Sequence, residues 1–206
     1  MIRNLLKFTV ILTLVCVVMG GGVAVLYGLW RDGIADRERA TTQAAIETVA
    51  PEGTTVDTAR PLAGDAQAGT AVYAARGAGG KVAGWVAAGA APGYSSTVKV
   101  MVGARAPGLE IVRVVVVSQS ETPGLGAQVA ETWSNFTLWE KLLGPDEPGK
   151  TEECANTFLR AFVGRQPDTV RDVQAITAAT ITSNATKAAV DQALGRIRNA
   201  IKESHE

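Results

Sequence analysis

The chain has few of the residues that carry metal or nucleophilic chemistry. Its 206 residues include one histidine, His205, and two cysteines, Cys16 and Cys154. This set is too small for a tetrahedral zinc site, a cysteine-ligated iron–sulfur cluster or a c-type haem motif. It also offers no plausible base for a Ser-His or Cys-His nucleophile. If the protein performs redox chemistry, we expect an organic cofactor to carry it and no metal to be bound.

The chain also lacks an excess of charge of either sign. Lysine plus arginine and aspartate plus glutamate both total 20, so the formal net charge is zero. We therefore predict no nucleic-acid partner, because a phosphate backbone is bound by a basic surface. A disulfide framework is excluded as well, since Cys16 lies in an apolar run and Cys154 lies in the polar part. With 47% hydrophobic residues, the chain can form one compact domain and a membrane segment.

A long apolar run begins the chain. Phe8–Trp30 contains no charged residue, and a helix of that length crosses roughly 30 Å of hydrocarbon. A signal peptide has a shorter apolar core and a small-residue cleavage site. We therefore predict an uncleaved transmembrane anchor over residues 1–31. Val15 is too bulky for a lipoprotein processing site, so Cys16 is interpreted as an ordinary helix residue.

Small residues recur at every fourth position of this run, at Gly20, Ala24 and Gly28. They would share one helix face and allow a second membrane helix to approach closely, which favours integral-membrane partners. Tolerance of glycine in membrane helices explains the pattern equally well. Basic residues flank the run on both sides, so the charge count does not set its orientation.

The polar remainder predicts a connector followed by an α+β domain. Residues 32–69 comprise a helical segment, Gly33–Val49, and a linker-like stretch, Pro51–Gly69. Valine-rich segments separated by glycine then predict four successive strands of an antiparallel sheet. These are Thr70–Ala75, Lys81–Ala90, Ser95–Val102 and Leu109–Ser118.

Helical patterns dominate after the strands. We predict helices at Ala127–Phe136 and Glu152–Phe162, with a loop rich in proline and glycine between them. Val170–Ile176 is predicted as a last strand. From Ser183 onward, apolar residues at helical spacing predict a final amphipathic helix. Residues 70–206 therefore form an α+β domain with an antiparallel-rich sheet and flanking helices.

The most informative segment is the hydroxyl-rich stretch Ile176–Ala185, between the predicted last strand and the final helix. Backbone N–H groups at a helix start stabilise an anion such as a phosphate, and neighbouring hydroxyls can complete its shell. By itself the pattern is a weak signal, because most such clusters are helix caps.

Thr177-Ala178-Ala179-Thr180, followed by Ile181-Thr182-Ser183, resembles the flavinylation motif of the FMN-binding domain family. The resemblance implies that Thr180 is the acceptor, with its hydroxyl oxygen joined to the phosphate of FMN by a dedicated flavin transferase. It assigns Thr182 and Ser183 as helix-cap residues.

A second segment, Ser120–Ala127, resembles the Glu-Thr-Pro-Gly-Leu-Gly loop that lies against the flavin in that family. Proline fixes one backbone angle there, and the two glycines permit a tight turn and close approach to a flat ring. Weaker similarity extends over residues 70–200. The two motifs together imply cofactor contacts from Thr177, Ala178, Ala179, Thr180, Glu121, Thr122, Gly124, Leu125 and Gly126.

Within the family, the single anchor and short length are most similar to the G subunits of Rnf (Rsx) electron-transport complexes. The C subunit of the sodium-pumping NADH:quinone reductase is a longer relative. This resemblance implies an electron-relay subunit of an ion-translocating complex that links ferredoxin to NAD, without catalysis of its own. It also implies integral membrane partner subunits, and a flavin domain on the periplasmic side of the bacterial inner membrane.

Two residues depart from the family pattern. Gln174 stands where an acidic residue is common, with Asp172 nearby, and Ala178 replaces the usual glycine. If that position requires a positive φ, the methyl group costs on the order of 1–2 kcal/mol. An alternative is therefore an anchored structural or assembly subunit with a vestigial flavin site. A free-standing flavin reductase is disfavoured, because no acid/base or nicotinamide-binding motif accompanies the flavin motifs.

Overall fold

The computed structural model describes residues 2–65, 68–130 and 156–204, which form two compact units, 1–42 and 43–206. Helix α1 runs from Ile2 to Val49. Its segment Leu6–Arg31 has a mean hydropathy of 2.5 and none of it is buried. The predicted apolar helix is therefore confirmed, and it is long and apolar enough to cross a membrane.

The second unit contains a five-stranded, fully antiparallel sheet in which each strand pairs with the next along the chain. The fold is therefore α+β, as the strand and helix patterns predict. The strands are β1 Thr54–Val56, β2 Val72–Gly77, β3 Val82–Pro92, β4 Thr97–Arg105 and β5 Glu110–Ser118. Strand β1 lies in the stretch that the sequence analysis interpreted as a linker. It was not predicted, because three residues are too few to show an alternating pattern.

Helix α2, Thr157–Arg160, is a single turn, and helix α3, Thr180–Glu203, covers one face of the sheet. The face of α3 that packs on the sheet includes Val190, Leu194 and Ile197, as their spacing predicts. The end of α1 packs on the opposite face, where Ile46 and Val49 are buried. The sheet is thus covered on both faces by apolar side chains.

Three predictions about the chain after β5 are wrong or only partly covered by the described residues. Val170–Ile176 is not a strand: Pro167–Asp172 forms a 3-10 helix, and Val170 and Val173 are buried three residues apart. The start of the predicted helix Ala127–Phe136 is a 3-10 helix, Gly126–Val129. Of the predicted helix Glu152–Phe162, the structure shows α2. Residues 131–155, including the predicted loop, lie outside the described residues.

Helix α3 lies very close to β3. A Cβ atom added at Gly89 would overlap the carbonyl oxygen of Ala189. Beyond the end of its pairing with β2, strand β3 is bonded by side chains of α3. Gln192 Oε1 accepts from Ala90 N at 2.9 Å, and Arg196 Nη1 donates to the Ala88 carbonyl at 2.6 Å. These bonds and the close approach fix the position of α3 on the sheet.

Gly89→Ala should destabilise the protein, because the backbone of α3 must move away from β3. The expected loss in the free energy of unfolding is about 1–3 kcal/mol. Gly195→Ala is the matched control, since a Cβ there meets no atom within 4 Å. In the middle of α3 it should raise the free energy of unfolding by roughly 0.5–1 kcal/mol. Chemical denaturation of the full chain in detergent measures both, and equal effects would contradict the close approach.

Candidate functional site

Three segments of the chain meet at the carboxylate of Glu121, which is only 6% exposed. Oε1 accepts hydrogen bonds from Ser95 N at 3.0 Å, Ser96 N at 2.9 Å and Ser96 Oγ at 3.1 Å. Oε2 accepts from Tyr94 N at 3.2 Å and from Thr182 Oγ1 at 2.7 Å. The carboxylate therefore joins the turn between β3 and β4, the loop after β5 and the first turn of α3.

Two glycines allow the chain to close around this carboxylate. A Cβ atom at Gly93 would lie 2.6 Å from Glu121 Oε1. At Gly126 it would lie 2.6 Å from Thr182 Oγ1 and 2.7 Å from Glu121 Oε2. A larger residue at Gly93 would displace the carboxylate, and one at Gly126 would displace the carboxylate or the Thr182 hydroxyl.

The same contacts set the charge state of Glu121. Burial raises the pKa of the carboxyl, but the hydrogen bonds from Thr182, Ser96 and Ser95 outweigh burial and lower the pKa from 4.5 to about 2. Glu121 is therefore an internally satisfied anion at neutral pH. The resemblance assigns it to cofactor binding, whereas its carboxylate oxygens are directed at protein donors.

The loop after Glu121 projects outward as a tight turn. Leu125 N donates to the Thr122 carbonyl at 3.1 Å, with Pro123 and Gly124 between them and a φ of 73° at Gly124. This is the arrangement of a type II turn, in which proline and glycine suit the second and third positions. All four residues of the turn are exposed, whereas Gly126 is buried.

The hydroxyl-rich segment divides into exposed and buried residues. Thr177 and Thr180 are exposed, and Thr180 is the first residue of α3. Thr182 and Ser183 are buried at 2% and 0% exposure. The Ser183 hydroxyl accepts from Ile176 N at 3.0 Å.

The prediction that Thr182 and Ser183 cap the final helix is wrong. The helix begins at Thr180, its N-cap position is Ala179, and no side chain caps it. Thr182 and Ser183 instead lie within the first turn, and their hydroxyls bond to the protein interior. The sequence pattern does not separate these cases, because a cap and an inward hydroxyl use the same residue types.

Ala178 adopts the left-handed conformation, with a φ of 63°. Ala179 N donates to the Ile176 carbonyl at 3.1 Å, which closes a turn with Ala178 at its third position. The methyl group of Ala178 is therefore strained, as expected for a residue that replaces glycine there.

The structure brings some of the predicted site residues together. Gly126 and Glu121 adjoin Thr182, two residues after Thr180. Ala179 is buried, whereas Ala178 is exposed. The role of Tyr94, Ser95 and Ser96 is not evident from the sequence, because three of their four donors to Glu121 are backbone N–H groups, which leave no residue-type signal. Across residues 2–65, 68–130 and 156–204, no three histidine, cysteine or acidic residues are grouped to hold a metal.

Ala178→Gly should raise the free energy of unfolding by about 0.5–1 kcal/mol, because glycine adopts positive φ without strain. Ala179→Gly is the neighbouring control, at a negative φ and with a buried methyl group. It should lower the free energy of unfolding. Denaturant titration of the full-length variants measures both changes. A destabilised Ala178→Gly protein would contradict the strained turn.

The lowered pKa of Glu121 predicts acid sensitivity. Since the folded pKa is below the unfolded value, this carboxylate stabilises the fold above pH 4.5, and that contribution is lost as pH falls toward 2. The full contribution is at most about 3 kcal/mol. Wild type should thus exceed Glu121→Gln in stability at pH 7, and the difference should shrink as pH falls from 4.5 to 2. A difference independent of pH would argue against the buried anion, and Glu52→Gln controls for loss of an exposed carboxylate.

Comparison with known proteins assigns the chain to a family by its sequence. The sequence profile described as the FMN-binding domain matches residues 93–195, half of the chain. No curated protein matches the chain. Among solved structures, NqrC of Shewanella oneidensis is similar at 18% sequence identity and a TM-score of 0.46, over 77% of this chain and 74% of that chain. The matched residues contain the turn at Gly93–Ser96, the loop at Glu121–Gly126 and the start of α3. The chain therefore belongs to the FMN-binding domain family.

Proposed function

We propose that the chain carries FMN covalently on Thr180 and relays electrons within a membrane-bound complex. The family match supports FMN as the cofactor. The observation that supports covalent attachment at Thr180 is a difference in exposure among the hydroxyl groups around the start of α3. Those of Thr182 and Ser183 are buried and hydrogen-bonded, whereas Thr180 is exposed to an incoming enzyme.

The surroundings of Thr180 fit a phosphate group. Helix α3 has 24 residues and begins without a side-chain cap. The first backbone N–H groups of such a helix, together with the positive end of its dipole, stabilise a negatively charged oxygen. A phosphate esterified to Thr180 would lie at this helix end.

Attachment requires an activated phosphate, because a monophosphate has no good leaving group. A flavin dinucleotide provides one in its pyrophosphate bond. The Thr180 oxygen would bond to the phosphorus on the flavin side, the pyrophosphate bond would break, and AMP would leave while the hydroxyl proton passes to solvent. The reaction needs no oxidant or reductant, and the flavin transferase supplies the catalytic groups.

Exposed apolar side chains offer a surface for the flavin ring. Tyr94, Leu125 and Ile181 are 73%, 45% and 56% exposed. Each belongs to one of the three segments that the Glu121 carboxylate joins. A flat, largely apolar ring bound there would cover surface that is otherwise in water.

An FMN group accepts two electrons and can release them one at a time, which suits a relay between carriers. The motif resemblance supports a place in an Rnf-type complex that links ferredoxin and NAD to ion movement. The helix at Leu6–Arg31 would anchor the domain beside integral membrane subunits. We place the flavin domain on the periplasmic side of the inner membrane by the same resemblance.

An anchored assembly subunit with a vestigial flavin site is the second candidate function. The observation that favours it is the strained Ala178 in the segment that a flavin transferase must recognise. The two candidates differ in one simple property. A vestigial subunit stays colourless when it is produced together with a flavin transferase.

Thr180→Val should abolish covalent flavin, because valine has a similar shape and no hydroxyl. Thr177→Val is the matched control, since Thr177 is also exposed and lies in the same motif. We expect yellow-green fluorescence of the full-length band after denaturing electrophoresis for wild type and Thr177→Val. Thr180→Val should show no fluorescence. The intact mass of wild type should exceed that of Thr180→Val by the mass of one esterified FMN.

Fluorescence retained by Thr180→Val would place the flavin elsewhere. Absence of fluorescence in wild type coexpressed with the transferase would support the vestigial alternative.

A further inference from the structure

We infer that the hydrogen bond from Thr182 to Glu121 positions the start of α3 so that Thr180 is presented for flavin attachment. Thr182 and Glu121 are then positioning residues. The inference rests on the proposed function, since it concerns the presentation of the same hydroxyl.

Helix geometry links the two threonines. Successive residues of an α-helix are rotated by about 100°, so residues two apart point to nearly opposite sides. Thr182 is 2% exposed and its Oγ1 donates to Glu121 Oε2 at 2.7 Å. Because Thr182 is held inward, Thr180 points outward, in agreement with its exposure.

The helix start needs such a tether. It has no side-chain cap, and the turn before it contains Ala178 at a φ of 63°, which alanine does not favour. Ser183 holds the turn from one side through its bond from Ile176 N. Thr182 holds the helix to the loop at Glu121 from the other.

The partner of Thr182 is itself rigidly held. Glu121 accepts four further hydrogen bonds, from Tyr94 N, Ser95 N, Ser96 N and Ser96 Oγ. Gly126 approaches the pair so closely that a Cβ atom added there would lie 2.6 Å from Thr182 Oγ1. A fixed acceptor of this kind defines both the position of the first helical turn along the helix axis and its rotation about that axis.

Thr186 provides a matched control one turn further along α3. It is also buried, at 0% exposure, but its Oγ1 donates to the Thr182 carbonyl of its own helix at 2.9 Å. Thr186→Val therefore removes a buried hydroxyl without breaking a bond between segments. Thr182→Val removes the bond to Glu121 with little change in volume, and Thr182→Ser keeps it.

The experiment measures the initial rate of flavin attachment to the purified, flavin-free full chain in detergent. Flavin transferase and flavin dinucleotide are added, and gel fluorescence is followed with time. Thr182→Val should react about tenfold more slowly than wild type, since a hydrogen bond to a charged group is lost. Thr182→Ser and Thr186→Val should react at close to the wild-type rate. Hydrogen exchange of the Ser183 amide, which donates to the Ala179 carbonyl at 2.9 Å, should be faster in Thr182→Val alone.

A wild-type rate for Thr182→Val, with unchanged exchange of the Ser183 amide, would overturn the inference and leave the attachment site intact. Equal slowing by Thr186→Val would also overturn it, because any buried hydroxyl would then suffice. If Thr182→Val does not fold, Glu121→Gln decides, since its amide places N–H groups against backbone donors. That variant should react more slowly than wild type, and an unchanged rate would refute the role of Glu121. If wild type itself takes up no flavin, the proposed function fails instead.

Discussion

A carboxylate that is removed from water must receive hydrogen bonds, because the cost of burying an unpaired charge exceeds the stability that most single contacts provide. Glu121 meets this requirement with five donors drawn from two segments that are distant from it in sequence, the turn at Tyr94–Ser96 and the start of α3. Three of the donors are backbone N–H groups in one turn. The turn, the loop and the helix start therefore hold their relative positions as long as the carboxylate is charged.

The sheet and α3 provide the frame for this junction. The turn at Gly93–Ser96 joins β3 to β4, and the loop at Glu121 follows β5. Helix α3 packs on the same sheet and approaches β3 closely at Gly89. All three segments thus extend from elements that already pack together through a common apolar core. The hydrogen bonds of Glu121 then set the exact positions of the three segments relative to one another. Apolar packing alone does not specify positions this closely.

The arrangement separates the hydroxyl groups of one short segment by function. Thr182 and Ser183 use theirs for interior bonds, and Thr180 presents its own to the outside. A helix produces this separation because neighbouring residues face different directions. The strain at Ala178 belongs to the same segment, where the chain must reverse direction immediately before the helix. Functional sites commonly hold such strain, and the surrounding contacts maintain it.

Local patterns in the sequence determined the regular elements: an uninterrupted apolar run predicted the apolar helix, and valine-rich segments separated by glycine predicted four of the five strands. Helical spacing of apolar residues predicted the buried face of α3. The two motifs likewise marked the loop at Glu121 and the segment at Thr180. Tertiary structure decided the rest: Val170 and Val173 belong to a 3-10 helix and its end, and Thr182 and Ser183 turn inward instead of capping α3. The partners of Glu121 are mostly backbone N–H groups, which every residue except proline possesses. Their identity therefore emerges when the folded chain brings them to the carboxylate.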